Sequence, residues 1–120
     1  MGLVDGRTVI VTGAGAGIGR AMVAAFAAEG AVRVVAADID AGRAAEAERS
    51  HASVVGVVAD IASPAGADAI IAAAGPGLDV LCNNAGVIDG LAAVDETAEE
   101  DWDRLMAVNL RGPFLLCRRA

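Results

Sequence analysis

Short β-branched runs alternate with alanine-rich stretches along this chain, and the alternation constrains the fold more than any other feature. The runs predict strands at 7–12, 32–37, 53–59 and 78–82, and the first is almost continuously apolar, as in a strand covered on both faces. Helical spacing and capping residues predict helices over 18–29 and 41–50, and a short third helix from Ser63-Pro64 to Gly75. This pattern, with short connections, indicates an α/β fold with a parallel sheet and right-handed crossovers.

The topology expected from this pattern is a Rossmann-type doubly wound sheet, with its first four strands in the order 3-2-1-4. Beyond the fourth strand, Thr97-Ala98-Glu99-Glu100 matches a capping box. The long helix that follows is expected to kink near Gly112-Pro113, because proline removes a backbone donor. The length of 120 residues fits one nucleotide-binding domain, residues 1–120.

Composition excludes several classes of protein. With 56% apolar residues the chain is not disordered, and with a net charge of -7 it lacks the basic patch of a nucleic-acid binder. Its apolar stretches are too short to span a membrane, and Asp5 lies where a signal peptide would be basic, so a mature, cytoplasmic chain is expected. Cys82 and Cys117 are predicted to be reduced thiols packed in the core, with a disulfide between them as the alternative. All nine basic residues are arginine, and there is no tyrosine. Neither Lys nor Tyr can therefore be a catalytic residue of this chain. No metal site is predicted from the sequence.

A glycine-rich turn, Thr12–Gly19, lies between the first strand and the first helix. Backbone amides at a helix N-terminus point toward an anion, and glycines allow a pyrophosphate to approach the backbone closely. The common spacing G-x-G-x-x-G is not matched; the spacing that fits is G-x-x-x-G-x-G on Gly13, Gly17 and Gly19. The turn therefore predicts a phosphate-binding loop, with a purely structural tight turn as the alternative.

Asp38 ends the second predicted strand, where a carboxylate can accept hydrogen bonds from both ribose hydroxyls of an adenosine. It would also repel a 2′-phosphate, because like charges about 4 Å apart cost up to about 4 kcal/mol at an effective dielectric constant of 20. With no basic residue beside it, Asp38 favours NAD over NADP. The alternative is an ordinary helix-capping acid, a position for which Asp40 competes. Arg20 is interpreted as a solvated helix residue rather than a 2′-phosphate ligand.

Polar and small residues also close the third and fourth strands. Asp60 could accept a hydrogen bond from an adenine amino group and Ile61 could pack on the ring, although a strand-end acid beside a turn is the simpler alternative. Asn83-Asn84-Ala85-Gly86 would let a ligand lie against the backbone, or could form a sheet-end turn whose amides satisfy loose backbone groups.

In this order and spacing, five elements resemble the short-chain dehydrogenase/reductase family: TGAGAGIG, Asp38, Asp60-Ile61, NNAG, and Val108-Asn109-Leu110 in the last helix. The resemblance covers essentially all of the chain but only the first half of the family's usual domain. It implies NAD as cofactor and hydride transfer between the nicotinamide and the carbon of an alcohol or carbonyl substrate.

The resemblance also implies roles for individual residues. The pyrophosphate side would be held by Gly13, Gly17, Ile18 and Gly19. The adenosine would be held through its ribose by Asp38 and through its base by Asp60 and Ile61. The cofactor would be lined, and the sheet braced, by Asn84, Ala85 and Gly86. Asn109 matches the Asn of the family's catalytic tetrad, where it helps to hold a water in a proton relay.

The chain also departs from the family pattern. The family's remaining catalytic residues are a Ser and a Tyr-x-x-x-Lys pair that lie further along, and this chain contains neither tyrosine nor lysine. In the family the Tyr is the general acid/base, and the Lys lowers its pKa and binds ribose. The 120-residue chain alone is therefore expected to be inactive. The helix after Ser63 is also shorter than the family usually has.

Two functional interpretations remain open. One is an NAD(H)-dependent oxidoreductase acting on a small-molecule alcohol or ketone, a homo-oligomer in any longer form, with neither nucleic acid nor membrane as partner. The other is a truncated, non-catalytic dinucleotide-binding module. Another Rossmann-type enzyme, such as a methyltransferase, is disfavoured by NNAG and by the glycine spacing.

Overall fold

Four parallel strands form the centre of the computed structural model, which describes residues 2–120. Their order is β3-β2-β1-β4, as predicted. The strands are β1 (Thr8–Thr12), β2 (Arg33–Asp38), β3 (Val54–Val58) and β4 (Leu78–Cys82). Because strand order reverses beside β1, the carboxyl ends of the strands border a crevice, the usual position of a ligand site in such sheets.

Helices connect the strands and cover both faces of the sheet. They are α1 (Gly17–Ala28), α2 (Ala41–Ser50), α3 (Pro64–Ala74), α4 (Glu99–Met106) and α5 (Gly112–Arg119), with a π-helical turn at Ala107–Arg111 between the last two. Within the described residues, no helix combines the length and the apolar character needed to cross a membrane.

Side chains of β1 alternate between two apolar clusters, one on each face of the sheet. Val9 and Val11 pack with Val23 of α1 on one face, and Ile10 packs with Ile70 of α3 and Leu116 of α5 on the other. All five residues of β1 are buried. Coverage on both faces explains why the sequence of this strand is nearly continuously apolar rather than alternating.

The helix starts follow the predicted capping chemistry in two of three cases. The Asp40 carboxylate accepts a hydrogen bond from the Arg43 amide at 2.9 Å, and the Ser63 hydroxyl accepts one from the Gly66 amide at 2.9 Å. The capping box predicted at 97–100 is wrong. The Thr97 hydroxyl donates instead to the Ala93 carbonyl at 3.0 Å, and α4 begins at Glu99 without a side-chain cap.

The kink expected near Gly112-Pro113 takes the form of a π-helical turn that precedes these residues. The Gly112 amide donates to the carbonyl of Ala107, five residues back. A proline ring excludes the carbonyl four residues earlier, which for Pro113 is that of Asn109. The helix therefore widens over Ala107–Arg111 before it continues as α5.

Asp79 fixes the start of β4 against β1. The register between the two strands shifts by one residue at this point, because Thr8 lies opposite Leu78 whereas Val9 lies opposite Val80. The Asp79 carboxylate accepts hydrogen bonds from the Thr8 amide and from the Arg7 guanidinium, each at 2.9 Å. Both hydrogen bonds lower the pKa of Asp79 from its ordinary value, and the bond from the Thr8 amide has the larger effect.

The two cysteines are free thiols, as expected, but only one approaches the core. Cys82 is partly buried at the end of β4, and burial raises the pKa of its thiol. Cys117 is exposed, so the prediction that both thiols pack in the core is wrong. Its Sγ accepts a hydrogen bond from the Asn83 side-chain amide at 3.4 Å, and α5 turns its apolar Leu115 and Leu116 inward instead.

Candidate nucleotide-binding site

A cleft of about 280 Å³ opens at the carboxyl ends of the strands. Six of the residues singled out from the sequence line it: Gly13, Asp38, Asp60, Ile61, Ala85 and Gly86. A larger cavity, about 640 Å³, lies along the surface from α4 to α5 and is lined by none of the predicted residues. The smaller cleft is the candidate site because it joins apolar walls to a few convergent polar groups.

The glycine turn enters the cleft through a left-handed residue, Gly13, whose φ is +60°. A Cβ at this position would lie 2.9 Å from the Cα of Ala85, so the turn also runs closely against the segment that follows β4. The next amide, that of Ala14, donates to the Ala37 carbonyl at 3.0 Å. A glycine is thus required at position 13, because a side chain would strain the left-handed backbone and would clash with Ala85.

The N-terminus of α1 has the features of an anion site. Ala16 precedes the helix and supplies no side-chain cap, and the first amides of a helix have no partner within it. Gly17 has a φ of +52°, and a Cβ on it would meet no atom within 4 Å. Ile18 is 75% exposed. Open space above uncapped amides is what a bound phosphate requires.

Gly19 is needed for a contact inside the turn and Gly15 for the close approach of α2, rather than for open space above the turn. A Cβ at Gly19 would overlap the Gly13 carbonyl and lie 2.6 Å from Nδ2 of the Asn84 side chain. A Cβ at Gly15 would overlap the side chain of Arg43. Gly15 lies outside the G-x-x-x-G-x-G spacing, and the sequence analysis missed its role.

Asp38 is buried at the end of β2 and its carboxylate bridges two loops. One oxygen accepts from the Gly15 amide and the other from the Asp40 amide, each at 2.9 Å. Since Asp40 itself caps α2, Asp38 is not the capping acid of that helix. Each carboxylate oxygen retains a further acceptor site, so a fixed carboxylate remains available to donors in the cleft.

The expected adenine-binding residues differ in their exposure. Asp60 is exposed, and one of its oxygens accepts from the Ala62 amide at 2.9 Å. Ile61 is only 7% exposed, because its side chain packs on Gly112. Ile39 lines the same cleft and is 71% exposed, so it offers more apolar surface than Ile61. The sequence signal for Ile39, an apolar residue directly after the strand-ending acid, was overlooked.

Thr12, which the sequence analysis did not single out, connects the ends of β1 and β4. Its buried hydroxyl accepts hydrogen bonds from the amides of Asn84 and Ala85, at 3.1 and 3.0 Å. The Asn84 side-chain amide donates in return to the carbonyls of Thr12 and Gly13, at 3.0 and 3.3 Å. These bonds hold the NNAG segment beside the glycine turn. The signal was a polar side chain at the end of an otherwise apolar strand.

We expect Thr12→Val to lower the free energy of unfolding by about 1–3 kcal/mol, because it leaves the Ala85 amide without its acceptor in a strand of unchanged shape. The Asn84 amide keeps the Cys82 carbonyl as acceptor at 2.9 Å. Urea unfolding followed by circular dichroism measures the loss. Thr8→Val is the matched control, since no hydrogen bond is made by the Thr8 hydroxyl within residues 2–120. Equal stabilities of the two variants would contradict a bracing role for Thr12.

Asn109 lies in the π-helical turn, and its side chain binds the backbone of the segment after β4. Its Oδ1 accepts from the Val87 amide at 2.8 Å, and its Nδ2 donates to the Val87 carbonyl at 2.7 Å. A Cβ at Gly86 would lie 3.2 Å from the same Oδ1. Asn109 therefore positions the chain that leaves the cleft, and its amide carries no group that titrates.

Known proteins are similar to this chain over nearly its whole length. The family profile described as short chain dehydrogenase matches residues 7–120. The D-threitol dehydrogenase of Mycolicibacterium smegmatis is 42% identical over 96% of this chain and 46% of its own length. The sorbitol dehydrogenase of Cereibacter sphaeroides is 38% identical over 94% of this chain and 45% of its own length.

A solved structure agrees at the level of the backbone. The crystal structure of 3-ketoacyl-(acyl-carrier-protein) reductase from Brucella melitensis, complexed with NADH, superposes with a TM-score of 0.91 at 35% identity. The match covers 97% of this chain and 49% of that one, so the chain spans about half the length of these relatives. With a profile match over nearly its whole length and a common fold, the chain belongs to the short-chain dehydrogenase family.

Proposed function

We propose that the chain supplies the nucleotide site of an NAD(H)-dependent oxidoreductase, which transfers a hydride between the nicotinamide and a small-molecule alcohol or ketone. The observation that carries the proposal is the buried Asp38 carboxylate, fixed by the amides of Gly15 and Asp40 beside the glycine turn. Relatives named for threitol and sorbitol support an alcohol as the class of substrate.

The contacts of the described residues suggest how the cofactor would be held. The open N-terminus of α1 would bind the pyrophosphate through Gly13, Gly17, Ile18 and Gly19, of which Gly19 keeps the turn closed. Asp38 would accept from the ribose hydroxyls and Asp60 from the adenine amino group, with Ile39 and Ile61 as the apolar wall. When bound, the nicotinamide supplies the hydride acceptor or donor.

The residues that follow β4 would line the reacting half of the cofactor. Asn84 braces the segment through its bonds to the glycine turn, and Ala85 and Gly86 leave its backbone open to a ligand. Asn109 fixes this segment through Val87 and would help to hold a water in a proton relay. None of these side chains can itself donate the proton that a carbonyl reduction requires.

We expect the chain to bind NAD more tightly than NADP, and Asp38→Ala to narrow that preference by about tenfold or more. The reason is the repulsion between a fixed carboxylate and a 2′-phosphate, for which 1.4 kcal/mol corresponds to tenfold in affinity. Calorimetric titration with each nucleotide measures the ratio. Asp95→Ala, which removes an equal charge from the exposed loop before α4, is the control. Equal affinities of the unsubstituted chain for both nucleotides would refute the assignment.

A second candidate function, a dinucleotide-binding module without catalytic activity, is favoured by the absence of tyrosine and lysine from the 120 residues. The two candidates agree on nucleotide binding and differ in the general acid. Sequencing the coding region beyond Ala120 separates them, because only the oxidoreductase requires a Ser and a Tyr-x-x-x-Lys there.

A further inference from the structure

β3 forms one edge of the described sheet, and its five residues, VVGVV, carry neither a charge nor a polar side chain. An edge strand presents unpaired amides and carbonyls to any strand that approaches, and short, uncharged apolar segments readily pair with copies of themselves. The last residue of the strand, Val58, is exposed. A second copy of the chain could therefore pair with this edge, unless the backbone groups of β3 are already bonded.

Alternate residues of β3 direct their backbone groups toward the open edge. On the inner side, the Ser53 carbonyl accepts a hydrogen bond from the Val34 amide of β2 at 2.9 Å. The Ala59 amide likewise donates to the Asp38 carbonyl of β2 at 3.1 Å. Because backbone groups alternate in direction along a strand, the even-numbered residues of β3 face outward. These residues are Val54, Gly56 and Val58.

Glu48 of α2 binds the central outward-facing amide. Its carboxylate accepts a hydrogen bond from the Gly56 amide at 3.3 Å. The close crossing of α2 over β3 brings it there, because a Cβ at Gly56 would overlap the Ala44 carbonyl and lie 3.2 Å from the Cβ of Glu48. The Val54 amide donates to the His51 carbonyl at 3.0 Å. Two of the three outward-facing amides thus have acceptors within their own chain.

We propose that Glu48 closes the free edge of β3 to the same edge of a second copy of the chain. Two identical edges pair about a twofold axis, which places the same residues of both chains opposite each other. Pairing centred on Gly56 requires the amide that Glu48 occupies and brings two Glu48 carboxylates together. The lost hydrogen bond and the repulsion between like charges both oppose it. Neither Glu48 nor Gly56 lines the nucleotide cleft, so this role is independent of the proposed function.

The first test replaces Glu48 with alanine, a good helix former, and measures self-association by sedimentation velocity. We expect the association constant to rise about tenfold over that of the unsubstituted chain, the value of about one hydrogen bond to a charged group. Glu46→Ala is the matched control, because it removes the same charge from the same helix and the Glu46 carboxylate pairs with Arg20 rather than with β3. Association through other surfaces is common to both variants and cancels in the comparison.

The second test locates the association on β3. In dilute Glu48→Ala, the Gly56 amide is expected to exchange its hydrogen faster than in the unsubstituted chain, because its acceptor is gone, and to become protected as the concentration rises. Hydrogen exchange followed by NMR measures both effects. Adding Val58→Lys to Glu48→Ala is expected to return the association constant to that of the unsubstituted chain, because a lysine on an edge strand opposes pairing.

Equal association constants for Glu48→Ala and Glu46→Ala would overturn the proposal. Excess association that leaves the Gly56 amide unprotected, or that persists with Val58→Lys, would also overturn it, because the contact would then lie elsewhere on the chain. Excess association in Glu48→Ala alone, with protection at Gly56 and reversal by Val58→Lys, supports the role of Glu48.

Discussion

Gly17→Val is expected to abolish NAD binding while the chain retains most of its helix content. The φ of Gly17 is +52°, a conformation that costs other residues about 1–2 kcal/mol and is least accessible to β-branched ones. No atom lies within 4 Å of the position that a Cβ would take, so the fold has room for the side chain. The same space lies at the N-terminus of α1, where the pyrophosphate is proposed to bind.

Gly75→Val provides the control for backbone strain. Gly75 ends α3 with a φ of +74°, and a Cβ on it also meets nothing within 4 Å, but it does not line the cleft. Calorimetry and far-UV circular dichroism should show a loss of stability in both variants, and a loss of NAD binding only for Gly17→Val. The loss of stability is expected to be at least as large for Gly75→Val, because its ψ of −166° with a positive φ is accessible essentially to glycine alone. Native affinity in Gly17→Val would mean that the turn is structural only.

Gly19 would not serve for this experiment, although the sequence analysis treated it like Gly13 and Gly17. A side chain at Gly19 would overlap the Gly13 carbonyl, so its replacement disrupts the turn itself. Loss of binding in such a variant would report misfolding as readily as a blocked site. The spacing of glycines in the sequence identified the loop, but it could not distinguish a glycine that packs from one that leaves space.

The sheet could be predicted because its signals are local. A continuously apolar β1 indicates cover on both faces, and Asp40 and Ser63 cap the helices that they precede. Short strand–helix connections then leave few topologies besides the observed order β3-β2-β1-β4.

The parts that the sequence did not predict depend on contacts between distant segments. Thr12 bonds to Asn84 across 72 positions, and Asn109 bonds to Val87 across 22. Burial of Ile61 depends on the absence of a side chain at Gly112, which no local pattern reveals. Thr97 is an exception, because a local contact decides it: its hydroxyl donates to the Ala93 carbonyl four residues back instead of capping α4.

Surface apolarity bears on how the chain behaves in an assay. β4 is an edge strand within the described sheet. Exposed apolar side chains lie on α4, the π-helical turn and α5, among them Trp102, Leu110 and Phe114. Unpaired strand edges and apolar patches of this kind promote association. We therefore expect the 120-residue chain to be marginally stable and to associate, so activity must be followed through chromatography.

The 120-residue chain alone is expected to show no measurable dehydrogenase turnover, even though it is proposed to bind NAD. Hydride transfer to a carbonyl leaves an alkoxide that must be protonated as it forms, and general acid catalysis of this kind contributes typically about 10²–10⁴-fold. The family's general acid is a Tyr assisted by a Lys, and the chain has neither. Asn109 cannot replace them, because both ends of its amide bind the Val87 backbone and neither titrates.

The assay supplies NAD and a panel of secondary alcohols to the purified chain and follows absorbance of the reduced nicotinamide. A baseline indistinguishable from buffer, with NAD binding demonstrated calorimetrically in the same preparation, is the expected result. Asn109→Ala is the informative variant, because the sequence resemblance implies that Asn109 corresponds to the Asn of the family's catalytic tetrad. Steady turnover that co-elutes with the chain and disappears in Asn109→Ala would mean that proton transfer here proceeds without a Tyr–Lys pair, through water held beside the π-helical turn.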